Sequence, residues 1–437
     1  MDPVILTILV ILIMLLFIAI GMPIAFALAL SGSIGIVLIF DTQTLFYSLG
    51  SFPVSRIAAF IWTVIPLFIL MGNLAQASGV ASEAYSMANK WLGHLRGGLV
   101  VVTIGACGLI AATTASGATG TAVMGRIAVP EMRKYGYDMR LATGATAASG
   151  TVGILIPPSG PLVVIGILTG LSIGKLFAAG FLPGVISVLI YMIMVNVKCR
   201  LNPTLAPKTK RYDWKQRFRS LSQGWGVVVL FITVMGGLYT GIATPTEVAA
   251  LGCSIALLMA MIAFFRGKCN KAMLLSAVVG AVDLSVMIFA FIVGAGIFSL
   301  FLTMGGIVPL IVDSVKNLPL NPTVILILIL LSYIPLGMFL DTMSMVLLTL
   351  PLYFPIIQGL GFDGIWFSIL IIKAAELGAI TPPVGMAIFV MKGVYPEAKL
   401  EDITRGCLWF MLMDVITISI LVAFPSISTW LPNLMAN

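Results

Sequence analysis

The residues able to do chemistry in this chain fall in four short stretches. Thr113–Gly120 holds Thr114 and Ser116 among small neighbours, and Gly153–Gly160 holds Pro157, Pro158 and Ser159. Phe339–Ser344 contains Asp341, Thr342 and Ser344, and Gly378–Gly385 contains Thr381, Pro382 and Pro383. Proline lacks a backbone donor and breaks a helix, so each Pro-Pro pair frees carbonyl oxygens beside hydroxyl side chains. Freed carbonyls and half-helix C-termini suit a small hard cation, whereas half-helix N-termini suit an anionic substrate group. Thr114, Ser116 and Ser159 supply further oxygens in the first half, and Asp341, Thr342, Ser344 and Thr381 do so in the second. Oxygen donors with few carboxylates favour a weakly bound monovalent ion such as Na⁺ over Zn²⁺ or copper. Lys373 and Glu376 precede Gly378 at an i, i+3 spacing and share one helix face. A structural ion pair and a direct substrate contact are both open readings for them.

These residues must be held by elements that live in a bilayer. Of the 437 residues 60% are hydrophobic and only 9% charged, with a mean hydropathy of +1.14, far from the roughly 25% charge of soluble domains. Runs such as Val4–Ile20 and Val324–Leu336 carry no charge; a helix needs about 20 apolar residues to cross the hydrocarbon. Nothing alternates as barrel strands would, so the spans are helical. The start, Met1–Asp2–Pro3, lacks a basic signal-peptide region, and the first span is expected to be retained. The five cysteines stand singly, without metal-ligand spacing, and read as small core residues. The net charge of +8 comes from short basic loops, which the positive-inside rule explains better than nucleic-acid binding.

The two halves repeat. Pro130 matches Pro355, Gly136 Gly361, Asp138 Asp363, Gly153 Gly378, Pro157–Pro158 Pro382–Pro383 and Gly160 Gly385, every pair 225 residues apart. Gly and Pro set backbone geometry, so a backbone shape is what recurs. Close helix packing by small residues accounts for Ala142–Gly150 but not for paired Pro-Pro breaks at a fixed offset. Arg96, Arg133, Lys134 and Arg140 flank the first copy, while Lys316–Pro322 and Gln358–Asp363 around the second hold one Lys and one Asp. Positive charge marks the cytoplasmic side, so the copies are expected to be inverted, a secondary-transporter signature. Each copy opens with a stretch too long and too broken for one span. We expect re-entrant hairpins over 98–132, turning near Ser116, and over 323–357, turning near Phe339–Ser344. Freed backbone at that depth is tolerated where it lines a cavity or is buried in protein. Val80–Leu95 reads as an amphipathic surface helix, Lys198–Arg219 as a basic cytoplasmic linker, and Asp283 as a boundary residue opening a span. Asp41–Arg56 and Lys316–Pro322 read as outward loops.

In these motifs the chain resembles the large membrane subunit of tripartite ATP-independent periplasmic (TRAP) transporters, over essentially its whole length. The matching pieces are Gly21-Met-Pro-Ile-Ala25, Pro66-Leu-Phe-Ile-Leu-Met-Gly72, Gly93-His-Leu-Arg-Gly-Gly98, Pro130-Glu-Met132, Gly136-Tyr137, Ile156-Pro-Pro-Ser159, Thr244-Pro-Thr-Glu247 and Thr381-Pro-Pro-Val-Gly385. The resemblance implies an all-α polytopic elevator transporter of the bacterial inner membrane, in which hairpins and broken helices slide against a static scaffold. It implies Na⁺ coupling, a small four-helix membrane subunit, a periplasmic substrate-binding protein, and an organic acid of the C4-dicarboxylate or sialic acid type, with membrane lipid around the chain.

Carried over, the first Na⁺ site comprises Thr114, Ser116, Gly117, Gly153 and Pro157, and the second Asp341, Thr342, Ser344, Gly378, Thr381 and Pro382. Ser116, Ser159, Asp341, Lys373 and Glu376 are the substrate candidates. Many members have Asn where this chain has Lys373, and a cationic Lys373 would suit a carboxylate. The implied division assigns 1–78 to scaffold helices, 79–97 to an arm helix, 98–178 to the first transport repeat (broken helix 139–173) and 179–199 to a return helix. It continues with 200–222 as the linker, 223–304 as scaffold helices, 305–322 as an arm, 323–403 as the second transport repeat (broken helix 364–395) and 404–437 as the last span and tail. An autonomous carrier without a binding protein is the alternative. An intramembrane enzyme or a channel fits less well, because no His/Asp/Glu cluster is evident and a pore needs no inverted hairpins.

Overall fold

The computed structural model describes residues 3–111, 117–207 and 212–435. The expected ligands Thr114 and Ser116, the tip of the first hairpin, and Lys208, Lys210 and Arg211 of the linker lie outside these residues.

All regular structure among the described residues is helical. The apolar α1 (Pro3–Ala19) and α2 (Ile24–Ile39) lead to α3 (Thr42–Ile57), α4 (Val64–Ala77) and α5 (Val80–Leu92). Then come α6 (Gly98–Ala111), α7 (Gly117–Lys134), α8 (Met139–Val152), α9 (Gly160–Thr169) and α10 (Ile173–Leu201). After α11 (Trp214–Leu221) follow α12 (Trp225–Tyr239), α13 (Pro245–Phe265), α14 (Lys271–Met304) and α15 (Ile307–Lys316). The chain closes with α16 (Pro322–Phe339), α17 (Thr342–Gly359), α18 (Gly364–Ala379), α19 (Met386–Val394), α20 (Leu400–Ala423) and α21 (Ser426–Leu434).

Eight helical segments among the described residues are long and apolar enough to cross a membrane; Met139–Thr169 is one of them, broken in its course. Ile193, Leu258, Val286 and Leu328 are exposed on such helices, as lipid-facing residues must be in a multi-pass membrane protein. One group packs α14 against α2, α3 and α4, with α13 on α4 and α12. In the other, α8 lies against α6, α7 and α20, and α18 against α16 and α17.

Three readings of the sequence change. Asp41–Arg56 is no loop: Asp41 caps α3 by accepting from the Thr44 N–H at 2.6 Å. The long basic stretch contains α11, bent 48° from α12, whose Arg217 is buried while Trp214 and Phe218 are exposed. Trp91 Nε1 of α5 donates to the Arg217 carbonyl at 3.2 Å, so this segment is docked rather than extended. Asp283 lies inside α14, because the Lys271–Gly280 stretch continues the helix instead of preceding it. The division drawn at 178/179 falls within the continuous α10.

Candidate functional site

Each of the two matching segments is built in the same way. Asp138 caps α8 through the Leu141 N–H at 3.0 Å, and Asp363 caps α18 through the Trp366 N–H at 2.8 Å. Both helices then stop: α8 passes through a short 3₁₀ turn, Gly153–Leu155, and α18 ends at Ile380. Cis peptide bonds follow at Pro157–Pro158 and Pro382–Pro383, and the chain restarts as α9 and α19. Gly385 opens α19 with φ +60°, a conformation that only glycine adopts at little cost.

The breaks are pressed against the hairpins by contacts that leave no room for a side chain. A Cβ on Gly117 would strike Ile154, and one on Gly150 would strike Thr121, so α7 lies directly on α8 and its break. A Cβ on Gly378 would strike the backbone of Gly337 and Tyr333, which holds α18 on α16. Here small residues do act as packing residues, as they commonly do between membrane helices.

Between these elements lies a small cavity of about 20 Å³ lined by the start of α7, the turn between α16 and α17, and both breaks. Gly117 and Ala118 come from α7, and Asp341, Thr342 and Met343 from the turn between α16 and α17. Thr151, Ile154 and Pro161 come from the first break, with Ala379, Met386 and Ala387 from the second. Gly117, Asp341 and Thr342 are the expected ligands that reach its wall. Gly153, Pro157, Ser159, Ser344, Gly378, Thr381 and Pro382 stand beside it in the chain rather than among its lining. Thr151, Met343 and Met386 were not anticipated, since a threonine in an Ala-rich helix and a methionine in an apolar run carry no local signal.

Asp341 is fixed by its own helix. It caps α17, with Oδ2 accepting from the Met343 N–H at 3.0 Å and the Ser344 N–H at 3.4 Å, while the Ser344 hydroxyl donates to Oδ1. A carboxylate has about four acceptor positions, so lone pairs remain for a cation. The Thr381 hydroxyl donates to Leu377 O at 2.6 Å. Ser159 Oγ accepts from the Leu162 N–H at 3.4 Å. These hydroxyl and carboxylate oxygens fit a hard monovalent cation.

Lys373 and Glu376 are placed elsewhere. Both are fully buried in α18, with Lys373 Nζ 2.9 Å from Glu376 Oε2 and 2.6 Å from Asp414 Oδ1 on α20. Tyr191 of α10 donates to the same Asp414 oxygen at 2.8 Å, and its ring lies 5.6 Å from the ammonium. One positive and two negative formal charges are thus shut inside the protein, and Asp414 Oδ2 has no hydrogen-bond partner among the described residues. The pair foreseen from spacing exists, but Asp414 was missed. Its signal was available: a lone acid within the apolar run Leu408–Ala423, which by default marks function or pairing in a membrane span.

A second, wider opening of about 1020 Å³ begins at Ala118, which also lines the small cavity. It runs between α7 on one side and α4, α5 and the first part of α14 on the other.

The sequence was then compared with known proteins. The family model described as tripartite ATP-independent periplasmic transporter, DctM component, matches residues 11–427. A C4-dicarboxylate TRAP transporter large permease protein of Pseudomonas aeruginosa is 33% identical over 411 residues, covering 93% of this chain and 94% of that protein. The 2,3-diketo-L-gulonate large permease of Escherichia coli is 30% identical, with 93% of each chain covered. A sialic acid TRAP permease of Haemophilus influenzae is 30% identical over 90% of this chain and 62% of its own length. Among solved structures, the Alcanivorax borkumensis YdaH transporter superposes with a TM-score of 0.69 at 13% identity, covering 96% and 98% of the two chains. Neisseria gonorrhoeae MtrF gives 0.61 at 12% identity, covering 86% and 84%. These two likenesses speak to the fold alone.

Proposed function

The chain belongs to the DctM-component family of tripartite ATP-independent periplasmic transporters, and from that premise we propose that it imports a small organic acid by Na⁺-coupled secondary transport. It is a transporter permease, not an enzyme. The substrate is of the kind that its relatives are named for, a C4-dicarboxylate, a sialic acid or a similar acid. A periplasmic binding protein delivers it, and a small membrane subunit completes the permease in the bacterial inner membrane.

The observation that carries this reading is the cavity where both hairpins and both breaks meet. Na⁺ is held on the second side by Asp341, Thr342 and Ser344 with carbonyls near Gly378, Thr381 and Pro382. On the first side Gly117, Gly153 and Pro157 hold it with the neighbouring Thr114 and Ser116. Substrate sits beside these ions against Ser116, Ser159 and Asp341. Lys373 and Glu376 contribute from behind the break, by holding α18 in place. Transport follows when α6–α9 and α16–α19 slide, as one body, against α1–α4 and α12–α14. The two copies are inverted about the membrane plane in this scheme.

The test is uptake of labelled acids into proteoliposomes holding this chain with its small subunit. Binding protein is added outside, with an inward Na⁺ gradient or with K⁺ in its place. Accumulation that needs both Na⁺ and binding protein is the expected result. Accumulation without binding protein would make the chain an autonomous carrier, and equal uptake in K⁺ would remove the ion sites.

A further inference from the structure

Resting on that reading, we infer that the wide cleft carries its own carboxylate-binding position, the guanidinium of Arg126, which receives the substrate on its way from the central cavity to the cytoplasm. Ala118, Ala122 and Arg126 recur along one face of α7, and all three line the cleft. At 1.5 Å per residue, Arg126 stands about 12 Å along the helix from Ala118, the residue shared with the central cavity. The facing wall is uncharged and mostly apolar, with Asn73 and Gln76 of α4 and Ser276 of α14 among its polar residues. Arg126 is the one charged residue among the described lining residues.

Three of the basic residues outside the cleft lining are paired with acids. Arg133 pairs with Glu397, Arg140 reaches Asp402 at 2.8 Å and Lys268 reaches Glu83 at 2.8 Å. Those charges orient the protein and tie its elements together, and they place the mouth of the cleft on the cytoplasmic side. Arg126 is exposed and has no hydrogen bond or ion pair among the described residues. A helix wall that needed only a positive-inside charge would carry it at its end, where Arg133 and Lys134 already stand. A guanidinium presents a planar fork that binds a carboxylate through two parallel hydrogen bonds, and a cleft of one charge sign concentrates oppositely charged solutes.

The experiment is exchange in the proteoliposomes described above, with labelled succinate and N-acetylneuraminate as probes. Binding protein is present only outside, so that only one orientation is read. Arg126→Gln should raise the internal acid concentration for half-maximal exchange about tenfold or more, while the external value stays within about twofold. Arg126→Lys keeps the charge and should recover most of the loss; Arg126→Glu should be worse than Gln. An internal value for Arg126→Gln within about twofold of wild type, or equal shifts on both sides, overturns the inference while leaving the transport reading intact. A wild-type chain that exchanges none of the labelled acids used in the uptake test overturns the transport reading itself, and this site with it.

Discussion

Lys373 shows how far a single side chain's surroundings can depart from its position in the sequence. Its ammonium answers two buried carboxylates on two helices, so it joins α18 to α20 and, through Tyr191, to α10. Removing one partner of a buried ion pair typically costs about 3–5 kcal/mol, because the partner's charge is stranded. Lys373→Met should therefore lower the melting temperature of the detergent-purified protein sharply, and Lys373→Met with Asp414→Asn should recover part of it. If the double variant melts below the single one, the network does not work as described. Asp341 is different, since it is only half-buried and faces the cavity. Asp341→Ala should raise the Na⁺ concentration for half-maximal uptake about tenfold or more, by loss of a charged ligand. Asp341→Asn keeps an oxygen and should fall between. Uptake titrated with Na⁺ at constant ionic strength reads both, and an unchanged midpoint removes Asp341 from the site.

At the scale of elements, the helices carrying the breaks are seated by glycines that touch backbone. Gly144 of α8 and Gly406 of α20 meet face to face, and one turn away Arg140 pairs with Asp402 across the same contact. Gly378 and Gly337 do the same for α18 and α16. A methyl group at such a crossing must push two rigid helices apart, an overpacking penalty of about 1–3 kcal/mol. Gly406→Ala and Gly378→Ala should each reduce thermal stability. Only the second should also weaken Na⁺ dependence, because Gly378 adjoins the cavity-lining Ala379, whereas Gly406 meets α8 at Gly144, about two turns before the lining Thr151. Equal effects on Na⁺ dependence would mean that the breaks are not positioned by these contacts. The breaks were legible beforehand, since Pro, Gly and capping Asp act on the few residues around them. Which glycine met which was not, because a crossing partner lies far away in the chain.

For the whole molecule, the proposed orientation opens the wide cleft toward the cytoplasm, with the central cavity at its head. All five cysteines are buried, so introduced thiols can be read against a low background. Ala122→Cys, in the cleft wall, should react with a membrane-impermeant maleimide from the cytoplasmic side only. Leu320→Cys, exposed before α16, should react from the opposite side only. Labelling of both from one side would sink the inverted arrangement. Na⁺ and substrate together should protect Ala122→Cys if the cleft closes as the bodies slide.

The sequence by itself determined that this is a helical membrane protein with two matching Pro-Pro breaks. Hydropathy, loop charge and helix-breaking residues act locally, and a span of 20 or so residues is enough to express them. It also named Asp341, Thr342 and Gly117, which reach the cavity. Only the tertiary structure decided that Lys373 belongs with Asp414 and Tyr191 rather than at the cavity wall. It also decided that Asp41–Arg56 is a capped helix and α11 a docked one, and that Arg126 faces open space. Those outcomes depend on which helices come side by side, and contacts between residues far apart in the chain leave no periodicity in the sequence to read.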